Sequence, residues 1–316
     1  MRVDSHLHVN FNGWTATAIV DYLDRNDLDR GWLLSWEETD SVNPNYQHLS
    51  VEDIFEAYRQ FPDRLVPMYA PDPSAENAID RLVDWAGRGI RGCAELKVSL
   101  GWDSALLDNY LDKVCELQLP LVFHMERGFD YLQPAPGSAF EKFLARVLES
   151  RRLFCIPARL MDLLCKMSGA MARRKQAMQK IFPGYLLGFA ELELRLQQFP
   201  GLQIIGHGPY FWQGISSDYG LEGETFPSGA VAGDGPVAGL LERYDNLYAD
   251  LSGNSGFNAL NRDHGYAARF LARFSHKILF GTDNFQLGLP ELLESLKLAP
   301  AELDKIYGVN AVGLLS

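Results

Sequence analysis

The chain contains eight short apolar runs that alternate with amphipathic helical patterns, and this alternation restricts the fold more than any other feature. Apolar residues recur every three or four positions over residues 51–61, 75–87 and 104–117, which predicts helices there. The apolar runs are nearly continuous, as is typical of strands buried on both faces. We predict strands at 3–9, 31–35, 65–69, 93–98, 119–124, 202–207, 247–251 and 278–283. This order predicts parallel strands joined by right-handed helical crossovers.

Two α/β architectures fit such an order. A doubly wound open sheet often carries a glycine-rich phosphate-binding turn after its first strand, and no such turn follows residue 9. Eight units that close on themselves form a (β/α)8 TIM barrel, which is the fold we expect. A bare barrel needs about 250 residues, whereas this chain has 316. We place the excess in a helical, lid-like insertion at 127–186, after strand five, and in a long loop at 208–245, after strand six. One domain should therefore span residues 1–316.

The composition limits which kinds of binding partner and which cellular compartment are expected. The net charge is −12 and the isoelectric point is about 5.0, whereas nucleic-acid binders typically present a basic face, so no nucleic-acid partner is expected. No apolar run is long enough to cross a membrane, and no signal peptide precedes the first strand. The four cysteines form neither a close zinc-type pair nor a disulfide framework. These features predict a cytoplasmic protein in a reducing compartment.

Histidines and one aspartate stand at the predicted carboxyl ends of four strands. His6 and His8 are two residues apart in the first strand, so both imidazoles point to the same face. His124 ends strand five, His207 ends strand six and Asp283 ends strand eight. Carboxyl ends of barrel strands converge on one mouth, where buried unpaired imidazoles and a carboxylate would be costly. Each residue alone could be a hydrogen-bonded strand end, but together they favour a bound divalent cation.

The order of these motifs resembles the amidohydrolase superfamily. It begins with Asp-Ser-His-Leu-His at 4–8 and continues with His124 at a strand end. Ile-Gly-His-Gly follows at 205–208, and Leu-Phe-Gly-Thr-Asp-Asn at 279–284. The closer resemblance is to the amidohydrolase-2 branch, which includes enzymes similar to aminocarboxymuconate-semialdehyde decarboxylase. Residues 305–311, Lys-Ile-Tyr-Gly-Val-Asn-Ala, resemble the stretch that closes these domains.

The resemblance implies a set of site residues. His6, His8, His124 and Asp283 would be the ligands of one divalent metal ion, with Zn²⁺ expected. His207 resembles the histidine that orients or protonates the reacting group, and Asp283 would also exchange a proton with water. Such a combination suits hydrolysis, because zinc lowers the pKa of water and polarises a carbonyl oxygen, while a carboxylate and an imidazole move protons.

Whether Lys97 is carboxylated determines whether the site would hold one metal ion or two. Lys97 shares a strand face with Glu95 by alternation, and some superfamily members carry a carboxylated lysine on strand four that bridges two metals. The alternatives are an ion pair with Glu95 or a contact to a substrate carboxylate. The amidohydrolase-2 branch is generally mononuclear, which favours these alternatives.

Two further residues are candidates for substrate contacts. Glu126 points into the mouth if strand five continues, as a substrate contact or as part of an ion pair at the rim. Trp212, in the aromatic run 210–212, could stack on a planar substrate or pack against the insertion.

The insertion itself has a distinctive charge. Residues 141–180 contain ten Lys or Arg and three Asp or Glu, a balance of +7 in a chain of −12. A basic lid over the mouth would favour substrates that carry carboxylates. A solvated helix face or a contact in a homo-oligomer would also explain the charge, so the assembly is left open.

Three functions follow from these residues. The leading hypothesis is a metal-dependent hydrolase of a small organic substrate, such as an ester, lactone or amide, that uses metal-activated water. The alternative is a non-oxidative decarboxylase, a carboxy-lyase, that acts on an aromatic or enoic acid at the same site. A non-catalytic metal-binding scaffold is a third hypothesis, which the acid and base groups beside the ligands disfavour.

Overall fold

The computed structural model of the chain describes residues 1–41, 43, 46–128, 184–220, 224–285 and 287–316. All eight predicted apolar runs form strands, and a short antiparallel pair lies between the fifth and the sixth of them. The strands are Val3–Leu7 (β1), Arg30–Leu33 (β2), Leu65–Pro67 (β3), Cys93–Leu96 (β4), Leu121–His124 (β5), Glu126–Arg127 (β6), Gly184–Tyr185 (β7), Ile204–His207 (β8), Leu247–Asp250 (β9) and Ile278–Leu279 (β10).

The eight main strands are parallel and close into a barrel. Ladder hydrogen bonds link β1-β2-β3 and, separately, β10-β9-β8-β5-β4. One seam between these groups is closed by Tyr69 N, which donates to Gly92 O at 3.0 Å. The other is closed by Ser5 N, which donates to Phe280 O at 2.9 Å. The predicted TIM barrel is therefore confirmed, since a doubly wound sheet would keep two open edges.

Helices surround the barrel and follow the predicted patterns. The three predicted from spacing are observed at Val51–Gln60, Ala78–Arg88 and Leu106–Glu116. The other α-helices in the described ranges are Ala16–Arg25, Phe189–Gln198, Pro209–Gln213, Pro236–Arg243, Gly253–Asn261, His264–Phe274, Leu289–Ser295, Pro300–Asp304 and Asn310–Gly313. Side-chain caps begin several of them. Ser50 Oγ, for example, accepts a hydrogen bond from Asp53 N at 3.2 Å.

Among the described residues, two large apolar layers build the barrel core. The larger layer lies between the strands and the surrounding helices. The smaller fills the amino-terminal half of the barrel interior, where Trp32, Val66, Val122 and Ile205 pack together and Ala311 of the last helix contacts them. The opposite end, at the carboxyl ends of the strands, is where buried polar side chains gather.

Two strands depart from regular pairing, and both departures concern this polar end. The register between β1 and β2 shifts between Asp4 and Leu7, and the register between β4 and β5 shifts between Cys93 and Leu96. Irregularities of this kind redirect side chains relative to strict alternation. They include His6 and Glu95, two of the residues that meet at the barrel mouth.

The two expected extensions are described to different extents. The loop predicted at 208–245 links β8 to β9 and contains the helices Pro209–Gln213 and Pro236–Arg243. The lid-like insertion predicted at 127–186 lies largely outside the described residues, which resume at residue 184 with β7. None of the helices in the described ranges combines the length and the apolar character that a membrane span requires.

Candidate active site

Seven ionisable side chains from six strand ends meet at the mouth of the barrel. They are His6, His8, Glu95, His124, His207, Asp250 and Asp283. The first six of these residues are at most 5% exposed, whereas the Asp283 side chain retains 19% of its accessible surface. Four of the chain's seven histidines and three carboxylates thus share one small volume.

His6 presents one ring nitrogen to this volume without a hydrogen-bond partner. Its Nδ1 lies 2.6 Å from Asp250 Oδ2. A carboxylate only accepts hydrogen bonds, so Nδ1 carries the proton. The opposite nitrogen, Nε2, is buried and has no hydrogen-bond partner among the described residues. An orphaned buried nitrogen of this kind calls for a ligand.

His8 also presents its Nε2 to this volume, because hydrogen bonds to Leu34 and Asn284 hold its ring and its backbone in place. Its Nδ1 donates to Leu34 O at 2.9 Å, so Nε2 keeps its lone pair. Asn284 fixes the His8 backbone from both sides: its Oδ1 accepts from His8 N at 2.7 Å and its Nδ2 donates to His8 O at 3.0 Å. His8 Nε2 consequently points at the carboxylates of Glu95 and Asp283.

Two carboxylates each lie close to the free ring nitrogens of His6 and His8. Glu95 Oε2 lies 3.8 Å from His6 Nε2 and 3.7 Å from His8 Nε2. Asp283 Oδ1 lies 4.0 Å and 3.3 Å from the same two nitrogens. Four ligands at about 2.1 Å from a tetrahedral ion lie roughly 3.4 Å from one another. Ligand atoms of His6, His8 and Asp283 all lie within 4.8 Å of one another, and could therefore hold a metal ion. Glu95 is a further candidate because it lies at a similar distance from both histidines.

The electrostatics of the cluster also favour a cation. Burial disfavours the charged form of His6, yet Asp250 and Glu95 outweigh burial and raise its pKa well above the usual value. Burial likewise opposes ionisation of Glu95, but His124 and the neighbouring cations hold its pKa well below the usual range. Glu95 thus remains ionised and stabilises positive charge at the position that His6 Nε2 faces.

His124 joins the cluster through hydrogen bonds at both ring nitrogens. Nδ1 lies 2.6 Å from Glu95 Oε1, and Nε2 lies 2.7 Å from Glu126 Oε2. The structure thus places Glu95, rather than His124, directly against His6 and His8. Glu126 is 3% exposed and lines the pocket beside His124.

His207 is linked to Asp250 by a serine. Ser252 Oγ lies 2.8 Å from His207 Nδ1 and 2.9 Å from Asp250 Oδ2. Burial, together with the positive charge near His6, lowers the pKa of His207 well below its usual value. His207 is therefore a neutral imidazole beside the cluster, and its side chain lines the pocket.

Asp283 adopts an unusual backbone conformation that brings it to the site. Its φ is +55°, in the left-handed region, and its N–H donates to His6 O at 2.9 Å. Gly253, with φ +72°, lies opposite: a Cβ there would stand 3.1 Å from Asp283 Oδ2 and 3.6 Å from His207 Cε1. Glycine at this position therefore leaves room between Asp283 and His207.

A pocket of about 410 Å³ opens over these groups, within the range of small-molecule sites. Its walls include the aromatic rings of Phe11, Trp36, Phe226 and Phe285. Lys97 also lines it, and Lys97 Nζ lies 4.0 Å from the centroid of the Trp36 ring. Contact with a ring face stabilises an ammonium, whereas a carboxylated lysine would be an anion.

Trp212, expected as a substrate contact, lies in the core behind the site. It is 2% exposed and its Nε1 donates to Asp250 O at 2.8 Å. Its ring packs against Phe211 and Phe270. In the described structure, Trp212 thus supports the end of β9 rather than the pocket wall.

The sequence model of the amidohydrolase family, in its amidohydrolase-2 branch, matches residues 3–316. The chain belongs to the amidohydrolase family. It is accordingly an enzyme of a metal-dependent superfamily, and the His, Asp and Glu groups at its barrel mouth are candidate ligands. Comparison of the sequence with curated proteins finds no match.

Solved structures share the amidohydrolase barrel at low sequence identity. A 5-carboxyvanillate decarboxylase from Novosphingobium aromaticivorans, in complex with manganese and 4-hydroxy-3-methoxy-5-nitrobenzoic acid, has a TM-score of 0.56 and 12% identity, over 100% of this chain and 96% of that one. A protein named a probable 2-pyrone-4,6-dicarboxylic acid hydrolase from Acinetobacter baumannii, with citric acid bound, has a TM-score of 0.53 and 14% identity, over 99% and 98%. An uncharacterised TIM-barrel protein from Bordetella bronchiseptica has a TM-score of 0.57 and 13% identity, over 99% and 98%.

Two residues of this amidohydrolase site were not predicted as such from the sequence. Glu95 was considered only as an ion-pair partner of Lys97, and Asp250 was not singled out at all. Their position could have identified them, since Glu95 and Asp250 both lie near the carboxyl ends of strands that are otherwise apolar. A carboxylate there faces the same mouth as the predicted histidines.

Proposed function

We propose that this amidohydrolase binds one divalent metal ion and hydrolyses a small organic substrate that carries a carboxylate. His6, His8, Glu95 and Asp283 would hold the ion. The observation that carries the proposal is His6 Nε2, a buried nitrogen without a hydrogen-bond partner among the described residues, which lies 3.8 Å from Glu95 Oε2 and 4.0 Å from Asp283 Oδ1. Zn²⁺ suits a set of two imidazoles and two carboxylates.

His124, predicted from the family resemblance as a ligand, takes a supporting role in this proposal. Its two ring nitrogens bind Glu95 and Glu126, so it orients the Glu95 carboxylate toward His6 and His8. Outer partners of this kind tune the position and basicity of a ligand.

A bound divalent ion supplies Lewis acidity, which lowers the pKa of water and polarises a carbonyl oxygen. The proton chemistry falls to two side chains of the pocket. The Asp283 carboxylate and the His207 imidazole line the pocket, with Asp283 Oδ2 and His207 Cε1 next to the space that Gly253 leaves open. A carboxylate and a neutral imidazole at this spacing can take a proton from water and return it to a leaving group.

Lys97 would bind the substrate carboxylate. Lys97 lines the pocket next to Trp36, and the residue as a whole is 8% exposed. A partly desolvated cation attracts an anionic group more strongly than a solvated one does. The contact between Nζ and the Trp36 ring also favours an uncarboxylated lysine and therefore a single ion.

Decarboxylation is a second candidate because the pocket walls are rich in aromatic rings. Phe11 and Phe285 pack edge to face at 5.5 Å at the pocket wall, and a planar aromatic acid could stack beside them. The decarboxylase with the same barrel binds a substituted nitrobenzoate. In that reaction the carboxylate would be lost as CO₂ and a proton delivered to the ring carbon.

Turnover assays on the metal-loaded enzyme distinguish the two reactions. Lactones, esters, amides and aromatic acids are offered in ¹⁸O-water, and products are followed by mass spectrometry. One ¹⁸O atom in the product acid indicates hydrolysis, whereas CO₂ release without ¹⁸O in the organic product indicates decarboxylation. Metal binding without turnover of any of these substrates would support the non-catalytic scaffold instead.

The role of His207 is tested by His207→Asn, with His264→Asn as the matched control because His264 is exposed and does not line the pocket. We expect His207→Asn to keep its ion and to lower kcat by about 10²-fold or more. A variant that loses the ion would identify His207 as a ligand. Normal turnover with a normal metal content would remove His207 from the mechanism.

A further inference from the structure

Ser252 is a buried residue whose hydroxyl bridges two site residues. It follows β9 by two positions and is 0% exposed. Its Oγ lies 2.9 Å from Asp250 Oδ2 and 2.8 Å from His207 Nδ1. The direct distance from His207 Nδ1 to Asp250 Oδ2 is 3.9 Å, too long for a hydrogen bond. The serine hydroxyl therefore links His207 to the carboxylate.

Counting the hydrogen atoms shared by Asp250, Ser252 and His207 shows which group donates in each hydrogen bond. A serine hydroxyl has one proton to donate, and an ionised carboxylate can only accept. The proton of Ser252 therefore points to Asp250 Oδ2, and a lone pair on its oxygen faces His207. For a hydrogen bond at 2.8 Å, His207 Nδ1 must then be the donor. On a neutral imidazole this leaves Nε2 without a proton.

The reverse arrangement loses one hydrogen bond and gains none, because the acid oxygen nearest to His207 Nε2, Glu95 Oε1, is 3.8 Å away and too far to accept. If His207 carried its proton on Nε2, the Ser252 hydroxyl would have to donate to Nδ1. A lone pair on Oγ would then face Asp250 Oδ2 at 2.9 Å, and a charge-assisted hydrogen bond would be lost. His6 cannot compensate, because its Nδ1 proton already binds the same carboxylate oxygen at 2.6 Å.

We propose that Ser252 is a positioning residue that holds neutral His207, whose ring lines the pocket, in the Nδ1–H tautomer, so that Nε2 is its proton acceptor. This inference rests on the proposed function and assigns an order to its proton transfers. His207 cannot donate to a substrate oxygen at the start of the cycle. It first accepts one proton at Nε2 from water and then returns that proton to the leaving group.

The tautomer can be observed without turnover. Metal-loaded protein labelled with ¹⁵N-histidine is studied by long-range ¹H–¹⁵N correlation with Zn²⁺ as the ion, and the His207→Asn variant assigns the His207 signals. We expect a protonated Nδ1 and an unprotonated Nε2. A protonated Nε2 in the parent protein would overturn the proposal. Because the spectrum requires no substrate, this result is independent of whether the proposed reaction is correct.

Variants then test whether Ser252 causes His207 to prefer the Nδ1–H tautomer. Ser252→Ala removes the bridge, and we expect a mixture of tautomers and a decrease in kcat of about 10-fold or more, with KM and metal content near those of the parent. Ser252→Thr keeps a hydroxyl and should restore the Nδ1–H signal, which a purely structural role would not require. Ser275→Ala, at another buried serine outside the pocket, is the control for removing a hydroxyl. An unchanged His207 spectrum in Ser252→Ala would refute the assignment.

Discussion

Asp250→Asn is the substitution that tests the organisation of the site most directly. The Asp250 carboxylate is 1% exposed and accepts three hydrogen bonds. Oδ2 receives His6 Nδ1 at 2.6 Å and Ser252 Oγ at 2.9 Å, and Oδ1 receives Ser252 N at 2.9 Å. Asparagine has the same shape but only one accepting oxygen. Its amide NH₂ must therefore face either Ser252 N–H or the Nδ1–H of His6.

The orientation with NH₂ toward His6 weakens the metal site, and this is the outcome that the prediction follows. With NH₂ toward His6, the imidazole must shift its proton to Nε2, which removes the lone pair that would bind the ion. Loss of an outer partner of a metal-binding histidine typically lowers metal affinity 10- to 100-fold. That range corresponds to about 1.4–2.7 kcal/mol of binding free energy. At a fixed excess of metal, the stabilisation gained from binding decreases by the same amount.

The measurement combines a competition titration against a chromophoric chelator with thermal unfolding in the apo and loaded forms. For a chain of this length, 1.4–2.7 kcal/mol corresponds to roughly 2–4 °C in Tm. We therefore expect the Tm increase caused by the ion to shrink by about this amount in Asp250→Asn. The control is Asp245→Asn, five residues earlier, because the Asp245 side chain is fully solvent exposed. It should match the parent.

The result that would refute this reasoning is specific. If Asp250→Asn binds the ion within threefold of the parent and keeps the full Tm increase, then Asp250 does not orient His6 for metal binding. If both aspartate variants lose affinity equally, the effect is due to net charge and not to the hydrogen bond.

Other predictions concern the ion, the packing behind it and the pocket. Purified protein should hold about one divalent ion per chain, and His6→Ala or Asp283→Ala should lose most of it in elemental analysis, whereas two ions would implicate a carboxylated Lys97. Gly281→Ala would place a Cβ 2.6 Å from Asp250 Oδ1 and 3.0 Å from His6 Cβ, so we expect a loss of about 1–3 kcal/mol in urea unfolding. Gly87→Ala, in a helix with nothing within 4 Å, should instead gain about 0.5–1 kcal/mol, and equal effects would contradict the packing argument. Lys97→Met should raise KM for carboxylate substrates while metal content stays constant, and an unchanged KM would exclude the contact.

Much of the architecture could be predicted from the sequence because it depends on short-range periodicity. Apolar runs with helical spacing between them specify strands and helices locally, and right-handed crossovers leave few topologies. Each predicted strand is present, although all eight are shorter than predicted; the eighth run, 278–283, forms a strand only over Ile278–Leu279. His6 and His8 could be recognised as convergent for the same reason, since alternation within one strand is a local property.

The arrangement of the site is less accessible because it depends on contacts between distant residues. No local pattern shows that Glu95 would approach His6 and His8, because the strand register shifts where Glu95 lies. Asp250 also resembles any polar residue at a strand end until its contact with His6, 244 residues away, is known. Trp212 illustrates the converse, since an aromatic residue near a predicted rim can equally lie in the core.

The seam between the first and the last strand has a consequence for how the protein matures. His6 O accepts from Asp283 N, and His8 is clamped by Asn284, 276 residues later in the chain. A growing polypeptide that lacks residues 278–316 therefore has both histidines but neither the opposing carboxylate nor the clamp. Closing a ring across almost the full chain length is a slow, late event in folding. The complete ligand set comes into existence only at that step, so metal uptake should follow synthesis of the last strand and should report that the barrel has closed.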